Sequence, residues 1–196
     1  MILTAPPFGR LIHGFSTRAG GVSAPPFHSL NTGAQVGDDP SHVAENLRRL
    51  ARQGSFVLAG LRRVRQVHGS RIVMAEELGS GPVEADGLVT ATPGLTVAVG
   101  TADCVPLLLA APGRAVAAVH SGWRGTVAGV VEAAVSLMEE RFHVEASSLL
   151  AAVGPAIRAC CYEVGPEVAA AFSDTPEVIV PVEGRYRLDL PRAVWS

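Results

Sequence analysis

The chain of 196 residues contains no lysine; all 16 basic residues are arginine. This excludes a phosphate-loop lysine, a Schiff-base lysine and a Ser–Lys dyad. Any anionic substrate group must be held by arginine, by backbone N–H groups or by a metal ion. Cysteine is nearly as scarce. Three Cys, two of them adjacent as Cys160 and Cys161, make no disulfide framework and point to a reducing cytoplasm. No apolar run approaches the roughly 18 residues of a membrane span, because Gly, Pro or Arg interrupts each one. The opening "MILTAPPFGR" lacks a basic start followed by an apolar stretch, so no export signal is expected. A formal net charge of −2 argues against nucleic acid as a partner.

What is present fits one domain, with 48% hydrophobic residues to build its core. "RLIHGFST" (10–17) reads as a strand entering a glycine turn. Asp39-Pro40 reads as an N-cap followed by proline at the first helical position, and Val43, Leu47 and Leu50 continue at helical spacing. A helix is therefore expected over 40–52, with Arg48, Arg49 and Arg52 solvated. "RRVRQVHGSRIVMA" (62–75) predicts a hairpin turning at Gly69-Ser70, with His68 at a strand end. Short β runs follow at 85–90, 95–102, 105–110 and 114–120. Residues 126–142 carry Val127, Val130, Val131, Ala134, Leu137 and Met138 on one helical stripe. A strand at 149–157, a short helix from Pro166 and a closing hairpin of "EVIVPV" with "RYRLDL" complete an α+β or mixed α/β pattern.

Within "VGTADCVPLLLAAPGRAVAAVHSGWRGT" (99–126), two apolar runs joined at "PGR" end in Cys104 and His120. Equal hairpin arms return their ends to one place, so thiol and imidazole can meet. With His68 they offer one soft thiolate and two imidazoles, a set that suits Zn²⁺ with an open fourth position. Asp103 or Asp86 can orient an imidazole from behind. The plainer readings are a small buried Cys, hydrogen-bonded strand-end histidines, and Asp86 making only a turn. Arg124 either pairs with a surface carboxylate or, beside the Gly-rich entry to a helix, offers a fork for phosphate. Cys160 and Cys161 read as packing residues.

Seven ordered blocks resemble the YfiH-type, or laccase-domain, family, whose members are also described as polyphenol oxidases and purine nucleoside phosphorylases. They are "HGFSTRAGGVS", "SLNTG", "QVHG", "EADGLVT", "TADCVPLLL", "AAVHSGWRGT" and "GPAIRACCYEVG", from residue 13 to about 165. The resemblance implies a mixed α/β sandwich of cysteine-hydrolase type, formed by 1–196 as a single domain. It implies that His68, Cys104 and His120 are the zinc ligands and catalytic cluster. With no lysine present, Arg18 and Arg124 are the best candidates to hold a phosphate, and Asn31 is a further substrate-binding candidate. The implied chemistry is phosphorolysis of adenosine, inosine and S-methyl-5'-thioadenosine, with adenosine deamination as a second activity. Members continue well past the "LDLP" region. The chain is therefore expected to lack their C-terminal segment and to be less stable, or to cover the region in a homo-oligomer.

Three other readings compete. A copper polyphenol oxidase needs many imidazoles or an axial Met beside the ligands; there are six His, and Met1, Met74 and Met138 are distant in sequence. A metal-free Cys104–His120 hydrolase or amidase, acting on peptidoglycan precursors, would use a thiolate beside an imidazolium. The third is a non-catalytic binding protein.

Overall fold

Asp39 and Pro40 open a helix as the sequence predicts. In the computed structural model, which describes residues 2–196, the Asp39 carboxylate accepts from the Ser41 N–H at 2.7 Å. The helix, α1 (Pro40–Gly54), ends where Ser55 turns left-handed at φ 55°. Val43 and Ala51 are buried, and Arg48, Arg49 and Arg52 converge on Glu45 at 3.0–3.4 Å. Such exposed pairs contribute little to stability. Asn46 lies on the buried face. Its amide donates to Ser23 Oγ, Ser29 O and Asn31 O, and accepts from the Val22 N–H, at 2.7–3.1 Å. The irregular loop from Val22 to Asn31 is thereby sewn to the helix. The strand expected at 10–17 reduces to β2 (Phe15–Ser16), paired antiparallel with β1 (Ile2–Leu3).

These elements belong to a unit made of the chain up to Arg62 and Thr92–Thr96; Arg63–Ala91 and Val97–Ser196 form a second unit. Two short strands, β3 (Leu61–Arg62) and β6 (Thr96–Val97), lie at the boundaries of that division.

The second unit is built on a five-stranded sheet. Its strands are β4 (Ile72–Met74), β5 (Gly87–Thr90), β7 (Val105–Ala111), β8 (Ala115–Ser121) and β9 (Leu150–Val153), in the order β4-β5-β8-β7-β9. Only β4 and β5 run parallel; the other neighbours are antiparallel. The expected hairpin is present as β7–β8, turning at Pro112-Gly113, with Ala111 opposite Ala115 and Val105 opposite Ser121. Alternation sends Leu107, Leu109, Ala117, Val119 and Val89 to one face. There they meet Val130, Ala134 and Met138 of α3 (Val130–Phe142). A second core joins Val105 to Val168 of α4 (Pro166–Ala171), Leu188 and Leu190. The closing hairpin, β11 (Ile179–Val182) with β12 (Arg185–Leu188), is as expected, and β10 (Glu163–Val164) adds to its other edge. Then α5 (Leu190–Trp195) begins at the Asp189 cap and leaves Trp195 61% exposed.

Two further expected elements are corrected. The stripe at 126–142 is not one helix: Gly129, at φ 75°, separates the five-residue α2 (Trp123–Val127) from α3, and Val127 is left exposed. The hairpin at 62–75 does not form either. Arg65 bridges Glu84 and Ile72 pairs with Gly87, both in parallel. The chain takes seven steps between those contacts while its neighbour takes three. The surplus is thrown out as a loop, and that loop carries His68.

Candidate metal centre

Strand register builds the site. Continuing the β5–β8 ladder one step places Asp86 opposite His120, and the His120 N–H donates to the Asp86 carbonyl at 2.7 Å. Continuing β7–β8 places Cys104 opposite Gly122, so Cys104 is the diagonal neighbour of His120 on one face. The fully buried Asp86 carboxylate accepts from His120 Nδ1 at 2.8 Å. It also accepts from the backbone N–H groups of His68 at 2.9 Å, Gly69 at 2.7 Å and Val67 at 3.3 Å. The surplus loop is wrapped around this one side chain, with His68 at φ 60°. Both imidazoles therefore depend on Asp86, one through its ring and one through its backbone.

His68, Cys104 and His120 each offer one ligand atom, and these atoms lie within 4.8 Å of one another. Among the described residues this is the one such cluster of three His, Cys or carboxylate groups. The two imidazole rings meet edge to face at 4.8 Å. With its Nδ1–H given to Asp86, His120 presents Nε2 to the cluster. Burial pulls the His120 imidazole below its ordinary pKa, with Asp86 opposing and His68 adding to the fall. Burial, then Asp103 and Asp86, push the Cys104 thiol up. Without a cation the pair therefore favours neutral thiol and neutral imidazole, and a bound cation would reverse the preference at the sulfur.

The donor set fits a single thiophilic ion, and so does the space. A Cβ on Gly122 would stand 2.9 Å from His68 Cδ2 and 3.0 Å from Cys104 Sγ. Any larger residue here must push the ring and the thiol aside. Gly125 is constrained similarly, since a Cβ there would stand 2.9 Å from the Gly69 carbonyl oxygen. Met74 and Met138 are buried in the core cluster with Val89 and Leu107, as their expected positions imply, and Met1 lies outside the described residues.

The other candidates fall as follows. Arg124 is exposed on α2, with its guanidinium 4.3 Å from the Trp123 ring centroid. Arg18 and Asn31 lie in the first unit. Arg18 is exposed, while the Asn31 side chain bonds Asp38 at 2.9 Å and accepts from the Gly33 N–H at 2.9 Å. Asp103, the other orienting candidate, is exposed, and its carbonyl accepts from the Ile157 N–H. Pattern reading missed Tyr162, which packs against the second core, as Trp123 does. Burial raises its phenol pKa, with Cys104 and Asp103 adding to the rise and Arg124 opposing it. It also missed Gly122, which the hairpin register alone would have placed opposite Cys104.

Fold and site together define a mixed α/β protein with a His–Cys–His centre at the mouth of a hairpin. Residues 12–196 match the family model described as multi-copper polyphenol oxidoreductase laccase. The chain belongs to this laccase-domain family. It is 46% identical to the purine nucleoside phosphorylase of Deinococcus radiodurans over 190 residues, covering 92% of this chain and 71% of that one. It is 40% identical to the purine nucleoside phosphorylase YlmD of Geobacillus stearothermophilus over 205 residues, covering 96% and 75%. The crystal structure of that YlmD superposes with a TM-score of 0.90 at 38% identity, over 97% of this chain and 77% of the other. No helix among the described residues is long and apolar enough to cross a membrane.

Proposed function

We propose that the protein is a zinc-dependent purine nucleoside phosphorylase, cytoplasmic, acting on adenosine, inosine and S-methyl-5'-thioadenosine, with adenosine deamination as a second activity. The observation that carries this reading is the convergence of His68, Cys104 and His120 in a chain whose relatives bear the phosphorylase name. Zinc is favoured over copper by the donor set. One thiolate and two imidazoles with an open fourth position match catalytic zinc, and both described methionines are committed to the core.

In this reading His68, Cys104 and His120 hold the ion, which when bound supplies a Lewis acid and a means of activating water. Asp86 fixes the His120 tautomer and keeps Nδ1 protonated. Gly122 leaves room for the reacting groups. Arg124, steadied on the Trp123 face, presents a planar fork to the attacking phosphate. Arg18, in a chain without lysine, is the second phosphate candidate, and Asn31 a substrate contact. Phosphorolysis needs such an anion site beside a developing ribosyl cation; deamination does not.

A metal-free Cys104–His120 hydrolase is disfavoured by the same burial, which opposes the thiolate–imidazolium pair it requires. The test is adenosine given to the zinc-loaded protein with and without phosphate, with products separated by chromatography. Adenine and ribose 1-phosphate should form only with phosphate, and inosine in its absence. No product from adenosine under either condition would refute the reading.

A further inference from the structure

Cys160 and Cys161 take no part in the centre described above. Both are exposed and unbridged, and their Sγ atoms lie 3.2 Å apart. They sit in a turn whose Cys161 and Tyr162 N–H groups both donate to the Arg158 carbonyl at 2.9 Å. The segment is tied at each side of that turn. Ile157 donates to the carbonyl of Asp103, the neighbour of Cys104, and Leu188 donates to the carbonyl of Tyr162 at 3.0 Å. A change of shape at the two cysteines therefore acts on a short span that is tied at one end beside Cys104.

We propose that this vicinal dithiol is a reversible oxidation site, closed to a Cys160–Cys161 disulfide by exchange with a low-molecular-weight disulfide, and that closure lowers turnover by pulling on the Ile157–Asp103 backbone contact beside Cys104. One thiol loses its proton to solvent and attacks a sulfur of the small disulfide, expelling one thiolate. The second thiol, deprotonated in turn, attacks the mixed disulfide at the protein sulfur and expels the other thiolate. The protein loses two electrons and two protons, and the small disulfide is reduced to two thiols. Adjacent residues hold their Cα atoms only about 3.8 Å apart across a trans peptide, below the ~4.4–6.8 Å usual for a disulfide. The bond is strained for that reason and is readily reduced again. It serves as a reversible state, not a structural staple. The turnover clause rests on the phosphorylase reading; the dithiol chemistry does not.

The test equilibrates the zinc-loaded full chain with mixtures of oxidised and reduced glutathione, blocks remaining thiols by alkylation and digests with trypsin. Cleavage after Arg158 and Arg185 releases residues 159–185, which carry both cysteines and no other. That peptide should escape alkylation and lose the mass of two hydrogens as the mixture becomes oxidising, and dithiothreitol should reverse the change. Cys160→Ser should instead collect a glutathione adduct at Cys161. A wild-type peptide that stays doubly alkylated, or carries adducts without closing the ring, overturns the proposal. Phosphorolysis should fall several-fold in the oxidised protein and recover on reduction, while the Cys160→Ser/Cys161→Ser variant stays insensitive. Equal activity in both states, or a loss that persists in the double variant, overturns the coupling to the centre. No phosphorolysis in either state refutes the phosphorylase reading and leaves the dithiol to be judged by mass alone.

Discussion

Asn46 and Asp86 are both fully buried, both hold a loop in place, and both do it with one short side chain. They differ in a single atom. Asn46 has a nitrogen that donates to two backbone carbonyls and a hydroxyl, and an oxygen that accepts one N–H. Asp86 has two oxygens that only accept, and every group around it is a donor: three backbone N–H groups and an imidazole. Burying a charge costs several kcal/mol unless it is fully bonded, whereas a neutral amide does the same mechanical work at lower cost. A charge is therefore placed where a loop must be held and an imidazole must also be oriented toward a ligand cluster. The first hub only builds; the second builds and tunes.

The largest expected effect lies at the cluster that Asp86 serves. Under the zinc reading, the protein should hold about one Zn²⁺ per chain. Cys104→Ala should lose most of it, because the only anionic ligand is gone, while the melting transition stays cooperative. Elemental analysis that finds copper in excess of zinc, or undiminished zinc in the variant, would break the assignment.

Exchanging the two hub side chains tests the comparison directly. Asp86→Asn keeps the shape but turns an NH₂ group toward donors. It should weaken metal affinity roughly 10- to 100-fold and cost about 1–3 kcal/mol of stability for each donor left unmet. Asn46→Asp turns carboxylate oxygens toward the Ser29 and Asn31 carbonyls. It should destabilise by at least ~3 kcal/mol and leave metal affinity unchanged in whatever fraction stays folded. Chemical denaturation and competitive metal titration separate the two outcomes. If Asp86→Asn binds metal as tightly as the parent, the charge has no special role and the two hubs are equivalent.

A smaller effect is expected from Gly122→Ala. The added methyl meets His68 and Cys104 side-chain atoms at 2.9 and 3.0 Å. Gly122 is not at a positive φ, so the backbone itself is not strained. The ring and the thiol must give by a few tenths of an ångström, and metal affinity should fall several-fold with little change in melting temperature. A large loss of stability would mean that Gly122 shapes the fold more than the site.

Much of this site was legible from the chain alone. The Cys104–His120 hairpin follows from two apolar runs of equal length around Pro112-Gly113, because local alternation and turn chemistry act within a few residues. The α1 start follows from Asp39-Pro40 for the same reason. His68 was legible as a partner of Cys104 and His120 but not as a loop residue. What holds it at φ 60° is a carboxylate 18 residues away along the chain, and no periodicity reports such a contact. Asn46 was hidden in the same way: on helical spacing it is one more polar residue, and its partners lie 15 to 24 residues away. The break at Gly129 was hidden because the apolar stripe continues at helical spacing on both sides of it. In each miss, a distant polar contact or a single glycine overrode a local pattern.

The smallest expected effect concerns pH, and it separates the hubs without mutating the His–Cys–His cluster. Burial holds the His120 imidazole below its ordinary pKa of about 6.5. Between that value and its lower folded value, the unfolded chain binds more protons than the folded one. Stability therefore rises with pH in this window, and the contribution of neutral His120 is fully present above about 6.5 and is lost as the pH falls through the folded value. Metal-stripped protein should accordingly melt at progressively lower temperature as the pH falls below about 6.5. Zinc loading should make the fall steeper, because protons then compete with the ion for the same nitrogen. Asn46→Ala should lower the melting curve at every pH without changing its slope, since an amide does not titrate. Melting followed from pH 5 to 8 with and without chelator decides the matter. A metal-free protein whose stability is flat across that range would show that Asp86 compensates the burial of His120 completely.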